Sequence, residues 1–248
     1  MANSEKDFLL YHHLGMGDHF ILHGLVRRLY KEEKFNNFNL ISKKHYAHNV
    51  RFMYRDLKKI KIIEVNDDSH ADQIFNSFKG KKKKHFLTDY GEFSNHFSEE
   101  AAYLSLGFEP SDRYTYFHLQ RNYLREETVY NKIINFNEGY IFIADDASRG
   151  YGIDDNKALG GRNLKIVRSS DLLEYNIFDL IKIIKNAKDI HVIYSAFLML
   201  LDCMKDVPVR NSMPPIYVHE SYVKKIHPYW PHDENLKKFW EKRNIEVK

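Results

Sequence analysis

The sequence predicts an α/β fold with parallel sheets, laid out twice along the chain. Three observations predict it. Short β-branched and aromatic runs alternate with helical patterns from residue 7 to residue 88, the order that makes strand–helix–strand units. The alternation breaks over 98–130, where a helix, the turn Glu109-Pro110-Ser111-Asp112 and an aromatic stretch follow one another. It restarts at the apolar run GYIFIA, 139–144. A chain of 248 residues holds one large domain or two small ones, and the break divides this one into 1–125 and 126–248.

In the first half, 7–14 is a buried strand that ends in the turn Gly15-Met16-Gly17-Asp18. A helix follows over 20–31, with Ile21, Leu25 and Leu29 on one face at spacing four. Asp18 stands where its N-cap belongs. A strand at 38–42, a helix at 45–59 and a β-branched strand at 61–65 come next. Asp67 or Asp68 starts a helix over 68–78, and 85–88 is a short strand. Residues 99–106 are helical and stop at Gly107, 114–118 are aromatic and extended, and 125–134 are helical again.

The second half opens on the strand 139–144, followed by a polar loop at 145–152 and a strand at 164–167. Residues 177–188 form the clearest helix: Ile177, Leu180, Ile181, Ile184 and Ala187 make one apolar stripe, and Asn176 can cap it. The strand 190–194 leads through Ser195 into a buried helix at 197–204. A last strand, 214–218, precedes a terminal helix over 235–243 that carries Phe239 and Trp240. The halves share a plan and no repeated sequence.

Composition narrows the classes. Hydrophobic content of 43% and charged content of 29% are those of a soluble globular protein. With 17 Tyr and 17 Phe, large cores need few residues. The lone Cys203 excludes an internal disulfide framework and a cysteine-based zinc site. It suits a reducing setting, and in an apolar helix it is inert. The opening MANSEKDF has no signal-peptide core. No apolar run approaches the ~20 residues of a membrane span; the longest, 196–204, ends in charge. A cytoplasmic protein is expected, in the host cytoplasm if it is viral. The net charge is +4, and residues 1–125 hold all of it, with 20 Lys and Arg against 16 Asp and Glu. That excess suits an anionic partner.

Several stretches carry candidate chemistry. Gly15 and Gly17 allow positive φ and a close approach of a ligand to the backbone. The pattern is no dinucleotide fingerprint, which needs glycine where Phe20 stands, and no P-loop, which needs a following Gly-Lys-Ser/Thr. It also suits a plain strand-to-helix turn capped by Asp18. The loop Asp145-Asp146-Ala147-Ser148-Arg149-Gly150 follows the strongest strand of the second half, at the end where parallel sheets bind ligands. Arg149 can pair with a phosphate in bidentate fashion, and Ser148 can donate a hydrogen bond. Asp145 and Asp146 find no second carboxylate cluster for a metal, and the other reading of the loop is a solvated turn.

Tyr194-Ser195-Ala196-Phe197 repeats the order of strand, small polar residue and helix. Ser195 there is a helix cap or part of an anion site. Lys81, Lys82, Lys83 and Lys84 either track a nucleic-acid backbone or another polyanion, or form a solvated loop. His12, His13, His19 and His23 crowd the first turn. His19 and His23 have the HxxxH spacing, but no Glu follows His19 and no third ligand is spaced nearby. They read as acceptor-side polar groups or packing, with no metal. No GxSxG elbow is present.

Taken together, these stretches resemble a family. HLGMGDHFILHGLVRRL resembles the opening of GT-B glycosyltransferases of the heptosyltransferase-like type (family 9-like), which read G-x-G-D-x-[IV]-x-x-x-G-x-[VIL]-R. YIFIADDASRG and NIFDLIKIIKNAKDIHVIYSAFLMLLD resemble the donor-binding half of bacterial and viral glycosyltransferase-like proteins. FSEEAAYLSLGFEPSDRYTYFHLQRN is similar to their inter-domain stretch. The likeness covers most of the chain. The chain departs from the family in being short and in having Tyr194-Ser195-Ala196 where a more acidic segment is common.

The resemblance implies two Rossmann-like α/β domains facing a central cleft. In it, 1–125 is the acceptor domain and 126–248 the nucleotide-sugar donor domain with the terminal helix. It implies metal-independent transfer with no cofactor beyond a nucleotide-diphosphate sugar as co-substrate. Asp18 would be the general base, with Gly15, Gly17, His13 and His19 beside the acceptor. Asp146, Ser148, Arg149, Gly150, Ser195 and Phe197 would hold the nucleotide diphosphate. An inverting transfer needs one carboxylate placed to take a proton. Without a metal, the leaving diphosphate needs cations or helix N-termini. The expected enzyme is a hexosyl- or pentosyltransferase. Its acceptor is a glycan, a lipid-linked glycan, or a hydroxymethylated base in DNA, as for the phage DNA glycosyltransferases that share the GT-B plan. The rival class is a non-catalytic nucleotide- or nucleic-acid-binding module.

Overall fold

A computed structural model describes residues 7–12, 14–32, 35–85, 98–135, 137–146, 150–204, 213–219, 238, 240, 241 and 245–247. The chain divides into two compact units, 1–120 and 121–248, each with its own sheet.

The first unit runs β1 (Asp7–His12), α1 (Met16–Ile21), α2 (His23–Glu32), β2 (Asn37–Lys43), α3 (Ala47–Met53), β3 (Ile60–Val65), α4 (Asp68–Ser77) and β4 (Lys81–His85). Helices α5 (Ser98–Leu104) and α6 (Asp112–Thr115) close it. The strands lie in the order β3-β2-β1-β4, and every pair is parallel. β1 sits inside the sheet and is covered on both faces, which is why it reads as an unbroken apolar run. Leu9 and Tyr11 pack with Ile41, Val65 and Ala71, and Ile74 and Phe75 of α4 close over them. On the other face Phe8 stacks on Phe35 at 4.7 Å between ring centroids.

The helix expected over 20–31 starts earlier and is interrupted. α1 and α2 are separated at Leu22. The cause lies far along the chain. The Tyr103 hydroxyl accepts from Leu25 N–H (3.1 Å) and donates to Ile21 C=O (2.8 Å), two groups that would bond each other in a continuous helix. A side chain inserted into the i→i−4 ladder breaks it. Gly24 lets α6 come close: a Cβ there would lie 2.4 Å from the Asp112 carbonyl oxygen.

Two other expectations change. Residues 114–118 are not an extended stretch, because Asp112–Thr115 is a helical turn. The Asp112 carboxylate accepts from Glu109 N–H at 3.1 Å and pairs with Arg28, which fixes the turn from both sides. The lysine run is not a loop but strand β4 itself, with Lys81 to Lys84 paired against Phe8 to Tyr11. An edge strand needs only its backbone for pairing and tolerates lysines on both faces. Of the expected strand 85–88, only His85 falls among the described residues.

The second unit runs α7 (Tyr123–Ile133), β5 (Tyr140–Ala144), α8 (Asp155–Leu159), β6 (Lys165–Arg168), α9 (Ile181–Asn186), β7 (Ile190–Val192), α10 (Ala196–Met204), β8 (Ile216–Val218) and β9 (Glu246–Val247). Its parallel strands lie in the order β6-β5-β7-β8-β9. All five residues of β5 are buried. Ile141 and Ile143 pack with Ile153, Ala158 and Ile193, and the Phe142 ring lies 5.7 Å from Phe197.

The helix expected over 177–188 begins as a 3-10 turn, Ile177–Leu180, before α9. Asn176 caps it, its side chain accepting from Phe178 N–H at 3.0 Å. Buried Asp179 accepts from Asn176 N–H at 3.2 Å and from Arg125 Nε at 2.7 Å, which holds the tighter first turn. α8 was not expected; Asp154 caps it and Gly160, at φ 56°, ends it. β9, two residues long, was not expected either. The terminal helix expected at 235–243 is described only at residues 238, 240 and 241, which are helical. Among the described residues no helix is long and apolar enough to cross a membrane.

Candidate active site

Each sheet has one place where the chain reverses its direction of growth. From β1 it proceeds to β2 and β3 on one side, then returns to place β4 on the other. From β5 it places β6 on one side and β7 on the other. Parallel sheets bind ligands outside the carboxyl ends of the strands at such switch points. The turn after β1, the loop after β5 and the segment after β7 all leave from them.

In the first unit Gly15 is extended (φ −71°, ψ 150°) and α1 begins at the next residue. Neither Gly15 nor Gly17 is among the positive-φ glycines, so the expected need for left-handed backbone does not arise. Asp18 is not an N-cap. It stands in the first turn of α1, and its Oδ2 accepts from Gly15 N–H at 3.1 Å. The half-buried carboxylate is thereby fixed at the carboxyl end of the central strand.

His13 lies outside the described residues. His19 is fully buried, and neither ring nitrogen has a hydrogen-bond partner among the described residues. It sits edge-on to His12 at 4.4 Å. Burial, with His12 as the lesser cause, holds His19 well below the ordinary histidine pKa. Burial does the same for His23, aided by the Arg27 charge. Arg27 Nε donates to His23 Nε2 at 2.9 Å, and its guanidinium grips Asp56 through both oxygens at 2.9 and 2.7 Å. The HxxxH pair therefore straddles the helix break and serves packing and an ion-pair network. Among the described residues no group of His, Cys, Asp and Glu is arranged to hold a metal ion.

In the second unit Ser148 and Arg149 lie outside the described residues. Asp146 and Tyr151 exchange backbone hydrogen bonds at 3.1 and 3.0 Å, and Gly150 has a φ of 74°. Asp145 is held by Arg168, which also donates to Ile153 C=O at 3.0 Å and pairs with Asp155. Arg168 was not foreseen, although it directly follows the strand expected at 164–167. Ser195 precedes α10, its carbonyl accepting from Met199 N–H at 3.2 Å. Its Oγ is buried without a hydrogen-bond partner among the described residues. Phe197 is half-buried, with its ring 5.7 Å from that of Phe142.

Lys81, Lys82 and Lys83 are exposed on β4. Lys82 Nζ donates to the carbonyls of Phe75 (3.2 Å) and Asn76 (3.4 Å) at the end of α4. Strand pleating sends successive side chains to opposite faces, so the run does not form one cationic track. A basic cavity of about 430 Å³ lies instead beside α3 and β3, edged by Arg51, Arg55, Lys58 and Lys61. These four cations fall within eleven residues at spacings of four, three and three, and no contiguous run announced them.

Known proteins supply the context for this geometry. No family model and no curated protein matches the chain, but solved structures of glycosyltransferases align with it. TibC of enterotoxigenic E. coli, an iron-containing dodecameric glycosyltransferase, aligns with a TM-score of 0.51 and 10% identity, over 87% of this chain and 58% of that one. The family 9 glycosyl transferase of Veillonella parvula aligns with a TM-score of 0.50 and 8% identity, over 88% of this chain and 81% of that one. The ADP-heptose lipopolysaccharide heptosyltransferase II of E. coli aligns with a TM-score of 0.50 and 10% identity, over 86% of this chain and 84% of that one. This chain spans less than two thirds of TibC. It shares the fold of these enzymes, as the resemblance in its sequence implied. At such identities the likeness is one of fold, and function belongs to the site.

Proposed function

We propose that the chain transfers a sugar from a nucleotide-diphosphate sugar to an acceptor hydroxyl, with inversion and without a metal. One observation carries the reading. Asp18, a half-buried carboxylate, is tied to Gly15 N–H at the carboxyl end of β1, in a chain with the fold of GT-B glycosyltransferases. In this reading the first unit takes the acceptor, and Gly15, Gly17 and His13 border it. Asp18 accepts the hydroxyl proton as the acceptor oxygen attacks the anomeric carbon. The bond from that carbon to the phosphate oxygen breaks, and the electron pair leaves with the diphosphate. The second unit holds the donor. Arg149, Ser148 and Ser195 meet the diphosphate charge, while Asp146, Gly150 and Phe197 border the nucleotide. His19, fully buried, supports the turn from behind.

The acceptor favoured is a glycan. A hydroxymethylated base in DNA depends on the lysine run acting as a phosphate track, and the alternation of β4 speaks against that. Thermal-shift and calorimetric titrations with ADP, GDP, UDP and their sugars test the donor. One nucleotide should stabilise the wild type, and its sugar should be turned over. Binding without turnover of any sugar would leave the non-catalytic module. Binding to DNA that weakens steeply with salt, and is lost when Lys81, Lys82 and Lys83 are neutralised, would restore the DNA acceptor.

A further inference from the structure

We propose that the cavity between α3 and the outer edge of β3 is a binding site for a sugar phosphate ester, separate from the proposed reaction centre. Its volume of about 430 Å³ lies within the range of small-ligand pockets. Arg51 lines it from α3, and Arg55 and Lys58 from the segment that joins α3 to β3. Leu57, Ile60 and Ile62, all half-buried, supply apolar surface.

The charge around it is unbalanced. Residues 51–64 hold five Lys and Arg against two Asp and Glu, most of the excess of the first half. Both carboxylates are engaged. Asp56 is held by Arg27 through both oxygens, and Glu64 pairs with Arg51. Lys59 donates to Phe35 C=O at 3.0 Å. Lys61 stands on the other pleat of β3 from Ile60 and Ile62. Arg55 and Lys58 are left at the cavity without an ion pair among the described residues. Arg55 is already oriented. Its guanidinium carbon lies 4.1 Å from the centre of the Phe52 ring, and Nη2 donates to Gln120 C=O at 2.5 Å. That bond uses one of its five N–H groups.

The open edge of β3 adds backbone groups. Successive residues of a strand turn their N–H and C=O groups to opposite edges. Phe38 N–H bonds Lys59 C=O and Lys44 N–H bonds Val65 C=O, both at 2.9 Å, so the odd-numbered residues face β2. Ile62 therefore turns its N–H outward, to an edge with which no other described strand pairs. The site thus offers a guanidinium, an ammonium and a backbone N–H, all donors. Guanidinium N–H pairs match two phosphate oxygens, and the ammonium adds a point charge. The outward C=O groups of Ile60 and Ile62 can accept from sugar hydroxyls, and the apolar surface suits the C–H face of the ring.

The register separates this site from the opening turn. Ile60 is level with Phe38, and Phe38 with Phe8, at the amino end of the sheet. The turn at Gly15 to Asp18 leaves the carboxyl end of β1. The assignment is therefore independent of the glycosyl-transfer reading, and either can fail alone.

Arginine-selective NMR on the full chain, with glucose 6-phosphate as probe and glucose as its neutral control, tests this. The phosphate ester should shift the Arg55 Nε–H signal in a saturable way, and glucose should not. By calorimetry R55Q and K58Q should each bind it about tenfold more weakly. K165Q, on the second sheet, should bind as the wild type does. An unmoved Arg55 signal overturns the assignment, as does an equal shift with glucose. A loss in K165Q as large as in K58Q would reduce the effect to overall charge and overturn it too. Phosphatidylglycerol vesicles bound where glucose 6-phosphate is not would make this face a lipid surface and also overturn it.

Discussion

Two histidines near the opening turn have a consequence for stability. His19 and His23 are fully buried, and burial holds both well below the ordinary value. In the unfolded chain they titrate near about 6.5. A folded-state pKa lower than the unfolded one means that the unfolded chain binds more protons as pH falls. Their contribution is therefore intact above about pH 6.5 and declines below it, by up to about 1.4 kcal/mol per pH unit for each ring. Chemical denaturation between pH 7.5 and pH 5 should show this decline, and H19F should remove part of the slope. A stability that stays level over that range would contradict the buried neutral rings. Arg27 adds to the same network. Burial alone would raise the Asp56 carboxyl, but the Arg27 hydrogen bonds and charge outweigh it and keep that group below its ordinary value. The turn at Asp18 is thus built on a neutral histidine pair and an ion pair.

Elements whose pattern is local were legible, and those decided by a distant partner were not. β1 and β5 read as apolar runs, as strands covered on both faces do. α4 announced itself through Asp67, whose side chain accepts from His70 N–H at 2.8 Å. The break between α1 and α2 had no local signal, because the hydroxyl that makes it lies 82 residues from Ile21 and 78 from Leu25. Tyr103→Phe removes that hydroxyl and leaves a buried N–H and C=O to find each other or go unpaired. A loss of about 1–3 kcal/mol is expected in urea unfolding, with an unchanged stability the contrary result. β4 was hidden for a related reason. Lysines argue for a loop until β1 supplies a pairing edge, and β9 is only two residues long. At the site, the location of the Gly15-to-Asp18 turn was legible, but its geometry was not. Asp18 reaches back to Gly15 from inside the first turn instead of capping from outside.

The whole chain is two parallel α/β units, each with a switch point from which its candidate residues leave. That plan is shared with TibC and with family 9 enzymes at very low identity. Such a likeness of fold without likeness of sequence is possible because buried runs need only to be apolar and of suitable volume. In the proposed reaction the chemistry rests on few groups, and Asp18 is the one on which transfer would depend. The decisive measurement is a turnover assay of the wild type and D18N with the nucleotide sugar chosen by the binding screen. Release of the nucleoside diphosphate and a glycosylated acceptor is expected from the wild type. D18N should bind the nucleotide with unchanged affinity and turn over about a hundredfold to ten-thousandfold more slowly. D18N that transfers sugar at the wild-type rate, or a wild type that transfers none, would contradict the assignment.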